Sequence, residues 1–80
     1  MEKQDLITKI NEVLADEFEV EQSDITPEGN IKKTLQLDSL GLVDMVALVE
    51  VIFGMNIKGS EISNIQTFSE LYDFVYERIT

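Results

Sequence analysis

A serine beside an aspartate carries the clearest chemical signal in this sequence. The run Leu37-Asp38-Ser39-Leu40 stands directly before a long apolar segment that is predicted to form a helix. Backbone N–H groups at the start of a helix lack intrahelical partners and carry partial positive charge. A phosphate ester on the Ser39 hydroxyl would therefore be favoured electrostatically. Ser39 is thus a candidate point of covalent modification.

The same residues also fit a purely structural role. Asp38 or Ser39 can cap the following helix by accepting a hydrogen bond from an N–H group in its first turn. The two roles are compatible, since Asp38 can cap while Ser39 points outward. Catalysis by Ser39 itself is not expected, because the chain has no histidine to activate the hydroxyl. Modification by another enzyme is the consistent interpretation.

The composition excludes several kinds of functional site. The chain has 80 residues, which predicts one small domain over residues 1–80. It contains neither cysteine nor histidine, so a Ser-His-Asp triad, a cysteine protease site and a typical zinc site are excluded. No catalytic residues and no metal site are predicted, and we expect that the protein is not an enzyme.

The charge balance predicts the kind of partner. Sixteen Asp and Glu oppose six Lys and Arg, which gives a formal net charge of −10. Nucleic acid is not an expected partner, because its phosphates are bound by basic side chains. Basic protein surfaces are expected instead, since long-range electrostatic attraction steers them. The sequence shows neither a membrane span nor a signal peptide, so a cytoplasmic monomer is predicted.

Apolar periodicity predicts three main helices. The first runs from about Glu2 to Asp16, the second from Asp38 or Ser39 to Phe53, and the last begins at Thr67. Thr67-Phe68-Ser69-Glu70 fits a capping box at the start of that last helix. A short third helix is expected from Ser60 or Glu61 to about Asn64. No β-strand pattern competes with these helices.

A long connection is predicted between the first two helices, over residues 18–37. It contains Pro27, Gly29 and several residues that favour turns. Six apolar side chains are expected to pin it to the core: Phe18, Val20, Ile25, Ile31, Leu35 and Leu37. The predicted fold is an all-α, small four-helix bundle with a long ordered loop between helices 1 and 2.

The second helix has two distinct sides when its residues are placed 100° apart. The predicted core side consists of Leu42, Met45, Val46, Leu48, Val49, Ile52 and Phe53. The other side adjoins Ser39 and consists of Leu40, Val43, Asp44, Ala47, Glu50 and Val51. This mixture of apolar and acidic residues is typical of a surface that docks a partner, although a plain solvated face remains an alternative.

The run from Asp38 to Phe53 resembles the attachment region of acyl carrier proteins, and the similarity extends over nearly the whole chain. The resemblance implies that Ser39 carries 4′-phosphopantetheine, derived from coenzyme A, whose terminal thiol holds acyl groups as thioesters. It also implies docking residues for a phosphopantetheinyl transferase and for acyl-processing enzymes with basic docking surfaces. These docking residues are Asp38, Leu40, Val43, Asp44, Ala47 and Glu50.

The chain departs from many fatty-acid carriers of that family at several positions. Gln36 stands where they have glycine, Gly41 where they often have an acid, and Val51 and Ile52 where further acids occur. The docking side is therefore more apolar than in a generalist carrier, which leaves a fatty-acid, specialised lipid, polyketide or amino-acyl pathway open. Some family members enclose a long acyl chain between their helices. The candidate linings here are Met45, Leu48, Val49, Ile62, Phe68, Leu71 and Tyr72.

Two other classes of function remain open from the sequence alone. An acidic helical adaptor without a prosthetic group would keep the charge and the docking side, while Ser39 served only as a cap. An enzyme with paired carboxylates is the third class, but no pair of carboxylates with suitable placement is evident. The addition of one pantetheine group to Ser39 distinguishes the carrier from the adaptor.

Overall fold

Helices make up most of the chain in the computed structural model, which describes residues 2–79. These residues form five α-helices and one short 3₁₀ helix. The α-helices are α1 (Lys3–Glu17), α2 (Ile31–Leu35), α3 (Ser39–Phe53), α4 (Gly59–Ile62) and α5 (Phe68–Ile79), and the 3₁₀ helix is Gln22–Asp24. The predicted all-α bundle is confirmed. Over the same residues the β-type pairing is one isolated bridge, between Asn30 and Thr67.

The helix boundaries largely follow the predicted signals. Helices α1 and α3 begin and end within one residue of their predicted limits, and α5 follows Thr67 directly. The Thr67 and Glu70 side chains each accept a hydrogen bond from the other's backbone N–H, at 3.2 and 2.9 Å, so the predicted capping box is present. Helix α4 begins one residue before its predicted start and ends two residues before its predicted end. It starts at Gly59, because the Glu61 carboxylate accepts a hydrogen bond from the Lys58 N–H at 3.0 Å.

The connection between α1 and α3 is more regular than predicted. It contains the 3₁₀ helix and also α2, which the sequence pattern does not predict because only Ile31 and Leu35 give this short helix an apolar side. The Asn30 side chain caps α2 by accepting a hydrogen bond from the Lys33 N–H at 3.0 Å. The predicted ordered crossing is confirmed, but the prediction of a loop without helices over residues 18–37 is wrong, because the connection includes these two short helices.

Backbone hydrogen bonds fasten this connection to the start of α5. The Ile31 N–H donates to the Gln66 carbonyl at 2.9 Å, and the Ser69 N–H donates to the Pro27 carbonyl at 2.9 Å. The six apolar side chains predicted to pin the connection are buried in the core or packed against it. The segment that leads into Ser39 is therefore held by both backbone and side-chain contacts.

One apolar core joins the helices. Its members are Leu6, Ile10, Leu14, Ala15, Ile25, Ile31, Leu35, Met45, Val46, Val49, Ile57, Ile65, Phe68, Leu71, Tyr72 and Val75. Helices α1 and α5 pack together, and Lys3 forms an ion pair with Asp73 across them. The Tyr72 hydroxyl donates a hydrogen bond to Asn11 Oδ1, while burial raises the pKa of Tyr72. This core fixes one side of α3 and leaves the other free.

Candidate attachment and docking site

Asp38 is the residue that caps α3. Its Oδ1 accepts a hydrogen bond from the Gly41 N–H at 2.8 Å, and its carbonyl accepts one from the Leu42 N–H at 3.0 Å. Asp38 has extended backbone dihedrals, which are usual for the residue just before a helix. Of the two capping residues that the sequence allows, the structure therefore selects Asp38.

Ser39 is the first residue of α3, and it is exposed. Its hydroxyl makes no hydrogen bond within residues 2–79, because Asp38 has already taken the capping role. The hydroxyl lies at the positive end of a 15-residue helix, where a phosphate is favoured. A phosphodiester therefore fits this position without disturbing a bond that the fold uses.

Gln36 gives the turn into the site an unusual backbone conformation. It ends α2 in the left-handed region, with a φ of 55°, and its N–H donates to the Lys32 carbonyl. This conformation favours glycine, because a Cβ atom crowds the following carbonyl oxygen. The left-handed backbone at Gln36 therefore gives a physical reason for the glycine that the family resemblance implies at this position.

The two predicted sides of α3 are confirmed. Met45, Val46 and Val49 are buried, and Leu42, Leu48 and Phe53 pack against the core while partly exposed. Ile52 is half-buried but does not join the core. The opposite side carries a continuous apolar stripe made of Leu40, Val43, Ala47 and Val51, which are three or four residues apart. Leu40, Val43 and Val51 are 76%, 56% and 80% exposed.

These three residues are all of the large apolar side chains that are exposed in the described part of the chain. All three lie in one stripe that begins beside Ser39. They therefore differ from the scattered exposed apolar residues that are normal on proteins. Asp44 is exposed and lies beside the stripe, where it adds negative charge. The arrangement of apolar contacts edged by acids suits a basic partner protein.

Glu50 differs from the other predicted docking residues. It is half-buried, and its Oε2 accepts a hydrogen bond from the Ile57 N–H at 2.7 Å. This bond holds the segment after α3 against the helix, while Gly54 ends α3 in the left-handed conformation. Glu50 therefore already has a structural role, whereas Asp44 makes no hydrogen bond or ion pair within residues 2–79.

A pocket of about 270 Å³ opens near the start of α3. It is lined by Asn30, Ile31, Lys32, Leu42, Ile62, Ser63, Ile65 and Gln66. Leu42 lies one helical turn after Ser39. The sequence suggested seven linings for an enclosed acyl chain, and Ile62 is the one that lines this pocket. Five of the others belong to the closed core: Met45, Val49, Phe68, Leu71 and Tyr72.

A second, more open groove borders the docking side of α3, and sequence reasoning did not predict it. It measures about 330 Å³ and is lined by Glu17, Phe18, Asp44, Ala47, Leu48 and Val51. Glu17 and Phe18 come from the end of α1, so the groove exists only because α1 and α3 approach each other in the folded chain. The helical pattern of α3 identifies one wall of this groove and cannot reveal the other.

Residues 2–79 contain no candidate membrane span and no candidate cluster of metal ligands. Their helices are too short or too polar for any of them to cross a lipid bilayer. The same residues place no three acidic side chains where they would hold a metal ion.

Comparison with known proteins places this geometry in a family. A family model described as a phosphopantetheine attachment site matches residues 8–75. An acyl carrier protein from Rubrobacter xylanophilus is 38% identical over 80 residues, which cover all of this chain and 99% of that protein. An acyl carrier protein from Coprothermobacter proteolyticus is 32% identical over 75 residues, which cover 94% of this chain and 92% of that protein.

A solved structure agrees with the observed fold. The acyl carrier protein from Enterococcus faecalis, described for its high thermal stability, superposes with a TM-score of 0.79 at 25% sequence identity. The match covers 96% of this chain and 98% of that one. The helical arrangement around Ser39 is therefore shared with a carrier over nearly the entire length of both chains.

Proposed function

Because this chain belongs to the acyl carrier protein family, we propose that Ser39 is the residue to which its 4′-phosphopantetheine is attached. The observation that carries the proposal is the division of labour at the start of α3: Asp38 caps the helix, and the exposed Ser39 hydroxyl is left without a structural bond. Family membership makes the protein a carrier with a prosthetic group and not an enzyme, which removes the adaptor alternative.

Attachment is a transfer reaction performed by a phosphopantetheinyl transferase. The Ser39 hydroxyl loses its proton, an Oγ–phosphorus bond forms, and the phosphoanhydride of coenzyme A breaks to release adenosine 3′,5′-bisphosphate. The backbone N–H groups at the start of α3 favour the resulting phosphodiester electrostatically. The attached group supplies a terminal thiol that holds acyl groups. The chain cannot supply such a thiol itself, because it has no cysteine.

The chain's own contribution is to present the tether in a fixed place. Helix α3 is anchored to the core by Met45, Val46 and Val49, so Ser39 stands at the end of a rigid element. A tether on a rigid support raises the effective concentration of the acyl group near a docked enzyme. We propose that residues 1–80 act in this way as a single monomeric carrier domain in the cytoplasm.

The intact mass of the protein tests the attachment site. Wild type incubated with coenzyme A, magnesium and a broad-specificity phosphopantetheinyl transferase should gain one phosphopantetheine group. Ser39→Ala should gain none and stay folded, since Asp38 supplies the cap. Ser60→Ala is a matched control, because Ser60 is also exposed in the first turn of a helix, and it should be modified like wild type. A folded wild-type protein that stays unmodified would overturn the proposal.

We propose that the transferase and the acyl-processing enzymes dock on the side of α3 that adjoins Ser39. The residues are Asp38, Leu40, Val43, Asp44, Ala47 and Glu50. The exposed apolar stripe beside Asp44 supports this surface, and basic partners match its charge. The predicted enzymes are those of fatty-acid, lipid or polyketide synthesis.

Charge reversal at Asp44 tests the docking surface. Asp44 is exposed and makes no bond that the described fold depends on, so Asp44→Lys should leave the helical content unchanged. We expect this substitution to lower the transferase's kcat/KM at low salt by about tenfold, with a smaller effect at high salt. Glu12→Lys makes the same reversal from acid to lysine on an exposed position of α1 and should have little effect. A defect in Asp44→Lys that does not change with salt would refute the electrostatic part.

A further inference from the structure

The groove between α3 and the C-terminal end of α1 combines apolar and acidic residues that suit a second contact with a partner protein. Its apolar surface comes from Ala47 and Val51 of α3 and from Phe18 at the end of α1. Its two carboxylates belong to Glu17 and Asp44. Val51 is 80% exposed, which is the largest exposure among the exposed large apolar residues. An apolar surface with acidic edges is suited to a partner's apolar side chain next to basic ones.

The charge around this groove is of one sign. Its walls come from two stretches of sequence without any basic residue: no Lys or Arg occurs between Lys9 and Lys32, or between Lys33 and Lys58. None of the groove's lining residues is basic. A second copy of this chain, which has the same net charge of −10, is repelled from the groove, while a basic protein is attracted.

The groove extends along α3 away from Ser39, from Asp44 to Val51. Val51 is twelve residues after Ser39, which corresponds to about 18 Å along the helix axis. A partner bound only near Ser39 can rotate about that point, whereas a second contact at this distance fixes its direction along α3. The two ends of the stripe, Leu40 and Val51, therefore define a line that orients the carrier.

We propose that this groove receives an apolar side chain, flanked by Lys or Arg, from the phosphopantetheinyl transferase that modifies Ser39. The proposal rests on the proposed function, because the transferase is the partner that modification of Ser39 requires. It adds Glu17, Phe18 and Val51 to the docking surface and extends that surface from α3 onto α1.

The test measures kcat/KM for modification of Ser39 by the transferase from the same organism. Glu17→Lys should lower this value by about fivefold or more at low salt, mainly through KM, because it reverses the charge at one edge of the groove. Glu12→Lys is the matched control: it makes the same charge change on the same helix, at an exposed residue outside the groove. It should stay within about twofold of wild type.

Val51→Asp separates the apolar contact from the charge. The substitution adds a negative charge, which by itself would strengthen attraction to a basic partner. A fall in kcat/KM of about fivefold or more would therefore identify loss of apolar contact. Circular dichroism should show unchanged helical content, since the Val51 side chain is largely exposed.

The outcomes distinguish this inference from the proposed function. If wild type is modified at Ser39 and Glu17→Lys and Val51→Asp react as fast as wild type, the groove is not used by the transferase and the inference fails, while the proposed function stands. Equal slowing by Glu12→Lys and Glu17→Lys would show an effect of net charge alone and would also overturn it. If folded wild type is not modified at all, the proposed function fails first.

Discussion

The carboxylate of Glu50 on α3 accepts a hydrogen bond from the backbone N–H of Ile57, with 2.7 Å between Oε2 and the nitrogen. Ile57 is buried, so its N–H group would otherwise lack a partner away from water. The bond ties the chain that leaves α3 back to the docking side of the same helix. A partner that binds the Glu50 carboxylate would therefore act on a group that also supports the fold.

Removal of this acceptor should destabilise the protein. We expect Glu50→Ala to lower the free energy of unfolding by about 1–2 kcal/mol, because the N–H of Ile57 loses a charged acceptor. Alanine is a good helix former, so helix propensity does not account for the loss. Glu50→Gln keeps an acceptor oxygen and should lose less. Urea denaturation measures both variants, and equal stabilities of Glu50→Ala and wild type would contradict the expectation.

The helices themselves could be predicted because their apolar residues recur at helical spacing. Leu6, Ile10 and Leu14 on α1 and Met45 and Val49 on α3 are all buried, as their spacing indicates. Ser39 is predicted as the attachment residue from its place before an apolar helix together with the family resemblance, and this assignment stays a prediction. The choice of Asp38 over Ser39 as the cap required the structure, since either residue type can accept the hydrogen bond.

Features that depend on distant contacts could not be predicted. Helix α2 has five residues, too few for a periodic pattern, and besides the Asn30 cap its start is held by the hydrogen bond from the Ile31 N–H to the Gln66 carbonyl. The inward bond of Glu50 depends on the path of the chain after Gly54. The groove likewise joins Glu17 to Val51 across two helices. Each of these features is a tertiary contact that local sequence does not encode by itself.

Gln36 provides a test of backbone strain next to the attachment site. Its φ of 55° lies in the left-handed region, where side chains other than glycine are disfavoured. Gln36→Gly should raise the free energy of unfolding by about 0.5–1 kcal/mol, after allowance for the greater flexibility of glycine in the unfolded chain. Thermal unfolding should show a higher melting temperature.

Gln66→Gly is the matched control for this change. Gln66 is exposed and does not have a positive φ, so glycine there brings flexibility without relief of strain. This control should be less stable than wild type. If both glycine variants shift the stability in the same direction, the left-handed conformation of Gln36 is not the cause.

The Glu70 carboxylate gives the stability a defined pH dependence. Hydrogen bonds from the backbone N–H groups of Thr67 and Gln66, at 2.9 and 3.1 Å, lower the pKa of Glu70 from its ordinary value of 4.5. Since the pKa is lower in the folded state, the carboxylate contributes stability above pH 4.5. That contribution is lost as the pH falls through the folded-state pKa.

Glu70→Gln isolates this contribution. At neutral pH the variant should be less stable than wild type, and the difference should shrink below pH 4.5 as the wild-type carboxyl becomes protonated. Urea denaturation at several pH values measures the difference. Glu12→Gln controls for the loss of one negative charge, because Glu12 is exposed and makes no hydrogen bond within residues 2–79. A stability difference that is the same at all pH values would contradict the assignment to Glu70.

Arg78 should control the stability of α4 more than that of the whole fold. Helix α4 has no fully buried residue, and Ile62 is its one side chain that packs against the core. Arg78 on α5 forms an ion pair with Glu61 and donates to the Asn56 carbonyl at 3.0 Å. Its guanidinium group also lies 4.8 Å from the centre of the Phe74 ring. One side chain thus connects α5 to α4 and to the segment before it.

We therefore expect Arg78→Ala to increase amide hydrogen exchange across residues 59–62 by about fivefold. The free energy of unfolding of the whole protein should fall by no more than about 1 kcal/mol, because the ion pair is partly exposed. Arg78→Lys should be intermediate, since lysine keeps the charge but cannot bond Glu61 and Asn56 together with one planar group. Lys9→Ala removes an exposed positive charge from α1 and should leave exchange in α4 unchanged. If exchange across residues 59–62 rises equally in Lys9→Ala and Arg78→Ala, net charge governs α4, and the contacts of Arg78 do not.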